Sequence, residues 1–219
     1  MEIVILLYPG FTALDVTGPY EVLVRLPNAV VKFAAKEKGI IDSEYPGMKM
    51  FASHTLAEIE NADILLIPGS TSAFFKMMKD SEVIRHIQRL DATTKWTTSV
   101  CSGAMIMAAA GLLKGKSATT HWALLDRLST FGANPVAERY VHDGKFITAA
   151  GVSAGIDMAL YLTATTQGED YAKMVQLVIE YYPQPPLNVP AFTAVPDEVK
   201  SAASAYLKEE IAAALYYNK

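Results

Sequence analysis

The chain of 219 residues has little cysteine: Cys101 is the only one. A single cysteine cannot form an internal disulfide, a CxxC redox pair or a thiolate zinc site. This excludes a disulfide-stabilised secreted scaffold and fits the reducing cytoplasm. We therefore expect neither a metal nor a cofactor, and a hydrophobic core large enough to hold the fold together by itself.

Basic clusters and long apolar runs are also missing. The chain has 19 Lys and Arg against 23 Asp and Glu, for a net charge of −4, and this leaves no electrostatic footprint for nucleic acid. No stretch reaches the roughly 18 uninterrupted apolar residues of a membrane span, and the start lacks the positive charge of a signal peptide. We expect a cytoplasmic protein that binds neither nucleic acid nor a membrane.

Short apolar runs alternate with helical patterns along the chain. Residues 3–7 and 64–67 are continuous apolar runs followed by Pro-Gly turns, as strands buried on both faces of a parallel sheet are. Asp143-Gly144 predicts a hairpin. Together these patterns predict a doubly wound α/β sandwich, a mostly parallel sheet with helices on both faces. Further strands are expected at 30–35, 49–52 and 96–100, and helices at 72–90, broken by an Asp80-Ser81 cap, and at 102–113, 121–131, 153–166, 169–182 and 197–217.

Three polar positions follow predicted strands. Asp15 comes after the first strand, in the turn before a helix that Gly18-Pro19 is expected to start. Gly69-Ser70 and Cys101 follow two later strands. Because ligands of such sheets bind at the carboxyl ends of the strands, these residues are expected to converge.

The segment around Cys101 has the layout of a nucleophile elbow, a sharp turn between a strand and a helix. A helix N-terminus can lower a cysteine pKa from about 8.5 to roughly 3.5–7.5, which would favour the thiolate. Backbone N–H groups of Ser102 and of the Gly69-Ser70 turn are then expected to stabilise negative charge on a substrate. The alternative is that Cys101 is a small apolar residue that ends a core strand.

Candidate acids and bases are few. Among the four histidines only His121, just before Trp122, is placed for a pocket, and it is equally consistent with a helix-start histidine bonded to the backbone. Asp15 is the better acid, either as a helix cap or as a partly desolvated carboxyl with a raised pKa. Glu21, one turn into the helix, is the fallback.

Several segments together resemble a known family. The resemblance is to the ThiJ/PfpI superfamily of class I glutamine amidotransferase-like proteins, and within it to the isonitrile hydratase (isocyanide hydratase) branch. It runs in unbroken order from residue 2 to about residue 182. The matching segments are Tyr8 to Val22, with its Leu-Asp-Val-Thr-Gly-Pro run, Leu66 to Gly69, Ser99 to Ala104, Gly111 to Leu113, and Ala118 to Trp122.

The resemblance implies a flavodoxin-like sandwich, usually a homodimer, and a lyase. Cys101 corresponds to a nucleophile that attacks the terminal carbon of an isocyanide to give a covalent thioimidate, which water resolves to an N-substituted formamide. Asp15 corresponds to the general acid/base, and Gly69, Ser70, Ser102 and His121 are expected to contact the substrate. Ser102 departs from the usual Thr of this branch, and the His that follows the cysteine in PfpI-type proteases is missing, which argues against a protease.

Two alternatives stay open for the same cysteine. One is a glyoxalase- or deglycase-like activity on reactive carbonyls, and the other is a redox sensor in which Cys101 oxidises. We expect residues 1–182 to form the α/β domain. Residues 183–219 are expected to be a Pro-rich connection and a C-terminal helix packed on the same domain. The apolar stripe of the helix favours a face on the core over the alternative of a partner surface.

Overall fold

A computed structural model describes residues 1–187 and 189–217, with side chains described up to residue 213. The strands are β1 Glu2–Leu6, β2 Val30–Ala35, β3 Gly39–Asp42, β4 Lys49–Ala52, β5 His54–Thr55, β6 Ile64–Ile67, β7 Trp96–Val100, β8 Ser117–Ala118, β9 Asn134–Pro135, β10 Tyr140–Asp143 and β11 Phe146–Ala149. The α-helices are α1 Ala13–Leu23, α2 Phe74–Met77, α3 Ser81–Asp91, α4 Gly103–Ala109, α5 Ala154–Gln167, α6 Glu169–Val178 and α7 Asp197–Tyr217.

A seven-stranded sheet in the order β10-β11-β7-β6-β1-β2-β5 forms the centre. All neighbouring pairs are parallel except β10 with β11, the hairpin predicted from Asp143-Gly144. From β1 the chain builds outward first through β2 and then, on the other side, through β6 and β7. The order therefore reverses between β1 and β6, and a crevice at such a switch point is where open α/β sheets bind ligands.

The core explains why the central strands are uninterrupted apolar runs. Every residue of β6 is buried, as are Ile3–Leu6 of β1. Helix α5 packs on both α1 and α6, and α4 packs on α2 and α3 as a second group. Both faces of these strands are thereby covered, as a parallel sheet requires. The predicted fold class is confirmed.

The first helix begins earlier than predicted. It starts at Ala13, not at Gly18, and it contains Pro19. Gly18 lies against α5, where an added Cβ would come within 3.0 Å of Ile156. This tertiary packing outweighs the weak helix propensity of Gly-Pro. Asp15 consequently lies in the first turn of α1 and not in the turn before it.

Other elements differ in type or length. Residues Trp122–Phe131 form 3-10 turns where an α-helix was expected, and α4 ends at Ala109, well short of residue 113. Among the residues described, no helix is long and apolar enough to span a membrane. The chain continues through a connection with one 3-10 turn, Phe192–Ala194, into α7. The proposed division at residue 182 stays a prediction.

Candidate active site

Asp15 and Gly69 meet at the switch point of the sheet. The Gly69 N–H donates a hydrogen bond of 2.8 Å to Oδ2 of Asp15, which joins the loops after β1 and β6. Asp15 is completely buried, and its Oδ1 has no hydrogen-bond partner among the residues the structure describes. An unpaired buried oxygen favours the protonated carboxyl, because the ion would lack compensating donors.

Cys101 occupies a strained turn at the end of β7. Its φ of +56° lies in the left-handed region, which costs a non-glycine residue of the order of 1–3 kcal/mol. The turn is held from several sides. The Cys101 N–H faces the carbonyls of Ala149 and Ala150, at 3.2 and 2.7 Å. The hydroxyl of Thr120 donates to the Cys101 carbonyl at 2.8 Å.

Two glycines allow the backbone to close around this turn. A Cβ on Gly103 would lie 2.1 Å from the carbonyl oxygen of Ile67, and one on Gly69 would lie 2.5 Å from the nitrogen of Ser102. Ser102 then links the two loops, since its hydroxyl donates to the Ser70 carbonyl at 2.7 Å and accepts from the Ser70 N–H at 2.8 Å. The loops after β6 and β7 are thus fixed to each other.

The expected substrate-binding amides are arranged differently from the prediction. The N–H groups of Gly69 and Ser70 already donate to Asp15 and Ser102, so they hold the site together in this structure. The N–H groups of Ser102 and Val152 instead lie beside the Cys101 sulfur, where they lower its pKa. Val152 follows β11 and was not singled out from the sequence.

The direction of the cysteine pKa also differs from the prediction. Burial raises the pKa of the Cys101 thiol well above its usual value, and the nearby Asp15 raises it further. The two neighbouring N–H groups oppose this with a smaller effect. Helix α4 has only seven residues, and the loss of hydration outweighs its N-terminus. The resting cysteine is therefore a protonated thiol.

The carboxyl of Asp15 has a raised pKa, as the second of its two predicted roles requires. Burial raises the pKa from 3.8 to about 8; the Gly69 N–H opposes the shift, and the charge of Glu44 adds to it. The thiol of Cys101 lies close enough to lower it slightly. At neutral pH the site thus holds a neutral carboxyl beside a neutral thiol. The fallback acid Glu21 is exposed and pairs with Arg25.

His121 lines the cavity but makes a local bond. Its Nδ1 accepts from the Ala123 N–H at 3.4 Å, which caps the 3-10 turns that follow. Burial lowers its pKa, so the imidazole is neutral at pH 7. Its ring also packs near Gly151, where an added Cβ would lie 3.1 Å from Cδ2.

Glu44 and Thr120 also belong to the site, although neither was singled out from the sequence. Glu44 comes from the connection between β3 and β4, and its carboxylate accepts from the Thr12 hydroxyl and the Thr71 N–H, both at 2.7 Å. It thereby bridges the loops after β1 and β6. Thr120, from the Thr-Thr-His-Trp segment, orients the cysteine turn, although only its neighbour His121 was singled out.

A cavity of about 510 Å³ opens above Cys101. Most of its surface is apolar, and Phe74, Phe75 and Trp122 are among the side chains that line it. Helix α7 forms one wall through Leu207 and Ile211, so part of its apolar stripe faces the cavity. Fold and site together define an α/β protein with a buried cysteine and carboxyl beneath a small, largely apolar chamber.

Comparison with known proteins agrees with this description. The sequence matches the DJ-1/PfpI family over residues 1–165. It is 39% identical to the isonitrile hydratase of Pseudomonas putida over 212 residues, which span 95% of this chain and 92% of that protein. The deglycase PfpI of Pyrococcus furiosus is 23% identical over 151 residues, or 68% of this chain and 89% of that one.

A solved structure extends the likeness to the fold. The crystal structure of a ThiJ/PfpI family protein from Pseudomonas syringae superposes with a TM-score of 0.89 at 35% identity, covering 97% of this chain and 90% of that one. The chain belongs to the DJ-1/PfpI family, and the resemblance stated from its motifs is confirmed.

Proposed function

We propose that the protein is an isonitrile hydratase-like hydro-lyase, which adds water to an isocyanide to give an N-substituted formamide. The observation that carries the proposal is the pairing of a cysteine on a strained turn with a buried, protonated Asp15 at the base of an apolar cavity. The 39% identity to an isonitrile hydratase over nearly the whole chain supports the reaction class.

In the first step the Cys101 sulfur bonds to the terminal carbon of the isocyanide. Asp15 supplies a proton to that carbon as the carbon–sulfur bond forms and takes up the proton that leaves the thiol. The product is a thioimidate, in which the thiol has added across the carbon. Cys101 and Asp15 together begin and end this step without a net charge. The step therefore suits a site in which burial disfavours both the thiolate and the carboxylate.

In the second step water attacks the thioimidate carbon. Asp15, protonated after the first step, donates its proton to the nitrogen and accepts one from the attacking water. The tetrahedral adduct then collapses: Asp15 takes the proton of the new hydroxyl and returns one to the sulfur, so that the carbon–sulfur bond breaks and releases the formamide and the Cys101 thiol. Oδ1 of Asp15 has no hydrogen-bond partner among the described residues, so we assign the proton exchange to this oxygen. The N–H groups of Ser102 and Val152 stabilise charge on sulfur in both steps.

His121 and the Gly69-Ser70 turn support this chemistry indirectly. We assign Gly69 the positioning of Asp15, and Ser70 and Ser102 the positioning of the cysteine turn. His121 is assigned the wall of the substrate cavity as a neutral ring. The homodimer and the cytoplasmic location implied by the family resemblance stay predictions.

The test is incubation of the purified protein with cyclohexyl isocyanide, with mass spectrometry of the product. We expect catalytic formation of N-cyclohexylformamide that requires Cys101. No formamide from a folded protein whose Cys101 still alkylates would contradict the proposal.

A carbonyl activity is the second candidate, because a deglycase of the same family matches 68% of the chain. Lactate formed from methylglyoxal, in the absence of isocyanide turnover, would select it. For a redox sensor, peroxide should add oxygen to Cys101 and change the oligomeric state. An unchanged hydrodynamic profile would count against that role.

A further inference from the structure

Two solvent-exposed cationic residues line the cavity, and neither has an ionic partner among the described residues. Arg127 extends from the 3-10 turns after His121, and Lys208 lies on α7, across the cavity wall. Neither forms a salt bridge or a side-chain hydrogen bond to any residue that the structure describes. Their own elements offer no acidic side chain three or four residues away, the spacing at which residues on a helix surface pair.

The carboxylates of the same cavity are, by contrast, already engaged. Both oxygens of Glu44 accept hydrogen bonds, from the Thr12 hydroxyl and the Thr71 N–H. Oε1 of Glu210 accepts from the Tyr45 hydroxyl at 2.6 Å. Among the described residues, Arg127 and Lys208 are the charged residues of the cavity lining whose side chains make no hydrogen bond at all. Neutral donors leave the charges of the two carboxylates in place, so the cavity as a whole is not cationic. The N–H donors of Arg127 and Lys208 point instead to a ligand with a strong acceptor, and a carboxylate is an acceptor that also complements their charge.

We propose that Arg127 and Lys208 bind a carboxylate on the substrate, so that the preferred substrate is a small electrophile with an apolar body and an anionic end. The identity of the reactive group, an isocyanide, rests on the proposed function. The apolar body occupies the part of the cavity lined by Phe74 and Trp122, with the reactive carbon at Cys101. Arg127 suits a carboxylate because its planar guanidinium can donate two parallel hydrogen bonds.

Alkylation of Cys101 tests the charge preference without requiring any turnover. Iodoacetate and iodoacetamide react with the same sulfur and differ in the charge of the group they carry. The ratio of their rates, at one fixed pH, reports how the cavity treats an anion. Iodoacetamide also serves as the internal measure of whether the fold and the thiol are intact in each variant.

Arg127→Gln and Lys208→Gln should each lower the iodoacetate to iodoacetamide ratio by about twofold to fivefold, the range of a partly exposed ionic contact. The double variant should lower it further, and Arg127→Lys should restore much of it. High salt should shrink the difference. Lys200→Gln, on the same helix but outside the cavity, and Arg85→Gln, on α3, are the matched controls and should leave the ratio unchanged. An unchanged ratio in the double variant would overturn the proposal.

Turnover separates this inference from the proposed function. Isocyanoacetate and its uncharged counterpart isocyanoacetamide are the probes, and kcat/KM for the acid alone should fall in the two Gln variants. If both probes are hydrated and the Gln variants change kcat/KM equally for the two, the proposed anion site is wrong and the proposed hydratase activity is supported. If neither is hydrated while the alkylation ratio still depends on Arg127 and Lys208, the anion site stands and the hydratase is wrong.

Discussion

The base and the wall of the cavity are built in opposite ways. The base consists of Asp15, Gly69, Cys101 and Ser102, which are buried, closely packed and bonded to one another across three strands. The wall that α7 contributes touches the rest of the site through few polar contacts, such as the Tyr45–Glu210 bond. A rigid base suits bond making, which needs fixed geometry. The wall contributes side chains that select the substrate.

The largest effect should come from the base. Cys101→Ala removes the proposed nucleophile and should reduce formamide formation at least about a thousandfold. Alanine and cysteine are about equally strained at a φ of +56°, so the variant should fold as the wild type does. Mass spectrometry of the product measures the loss of activity, and circular dichroism checks that the variant is folded. Turnover within tenfold of the wild type would remove Cys101 from the mechanism.

Asp15→Asn should come next. The amide keeps the acceptor for the Gly69 N–H but cannot exchange protons, so we expect kcat/KM to fall by about 10²–10⁴. Glu21→Gln, six residues further along the same helix, is the matched control, and it should change kcat/KM by less than about twofold, because its side chain is exposed. Equal losses in the two variants would contradict the role of Asp15.

The raised pKa of Asp15 should also make the free energy of unfolding depend on pH. In the unfolded chain Asp15 loses its proton above its ordinary pKa of 3.8, whereas in the folded protein it keeps the proton until about pH 8. Unfolding therefore releases a proton in this window, and the contribution of Asp15 to stability falls as pH rises, by up to about 1.4 kcal/mol per pH unit.

Asp15→Asn lacks this carboxyl, so its free energy of unfolding should decline less between pH 5 and about pH 7.5 than that of the wild type. Urea unfolding of both proteins at the two pH values measures the difference. Parallel pH dependences would mean that Asp15 is ionised in the folded protein.

The smallest effect should come from the wall. Tyr45→Phe removes the hydrogen bond to Glu210, and we expect a loss of stability of no more than about 1 kcal/mol, with a rise in KM of about twofold and an unchanged kcat. Tyr182→Phe, a change at a tyrosine that is 79% exposed, is the control. A fall in kcat in Tyr45→Phe would show that the wall also takes part in the chemistry.

The sequence predicts the base far better than the wall. Strand-to-loop corners carry local signals, namely apolar runs that end at Gly or at the cysteine, and parallel topology brings such corners together. Asp15, Gly69 and Ser102 could therefore be found from the sequence. The cysteine pKa could not, because it depends on how completely the folded chain covers the sulfur.

Residues that reach the cavity from distant elements lack a local pattern. Glu44 lies in a turn among ordinary polar residues, and Lys208 is one of several charges along α7. Their place in the cavity wall depends on the path of the connection of nearly twenty residues before α7 and on the β3–β4 hairpin, and tertiary packing decides both. The start of α1 at Ala13 was mispredicted for a similar reason, since Gly18 packs on Ile156.

The central claim is that Cys101 forms a covalent bond to the isocyanide carbon, and a trapped intermediate tests it most directly. We would mix Asp15→Asn and wild-type protein with cyclohexyl isocyanide, quench with acid and measure intact and peptide masses. We predict a gain of one whole isocyanide molecule on the peptide that contains Cys101. In Asp15→Asn the adduct should form more slowly and also disappear more slowly than in the wild type, because both steps use the proton of Asp15. Formamide production by the wild type with no adduct on Cys101 in either protein would contradict the covalent mechanism.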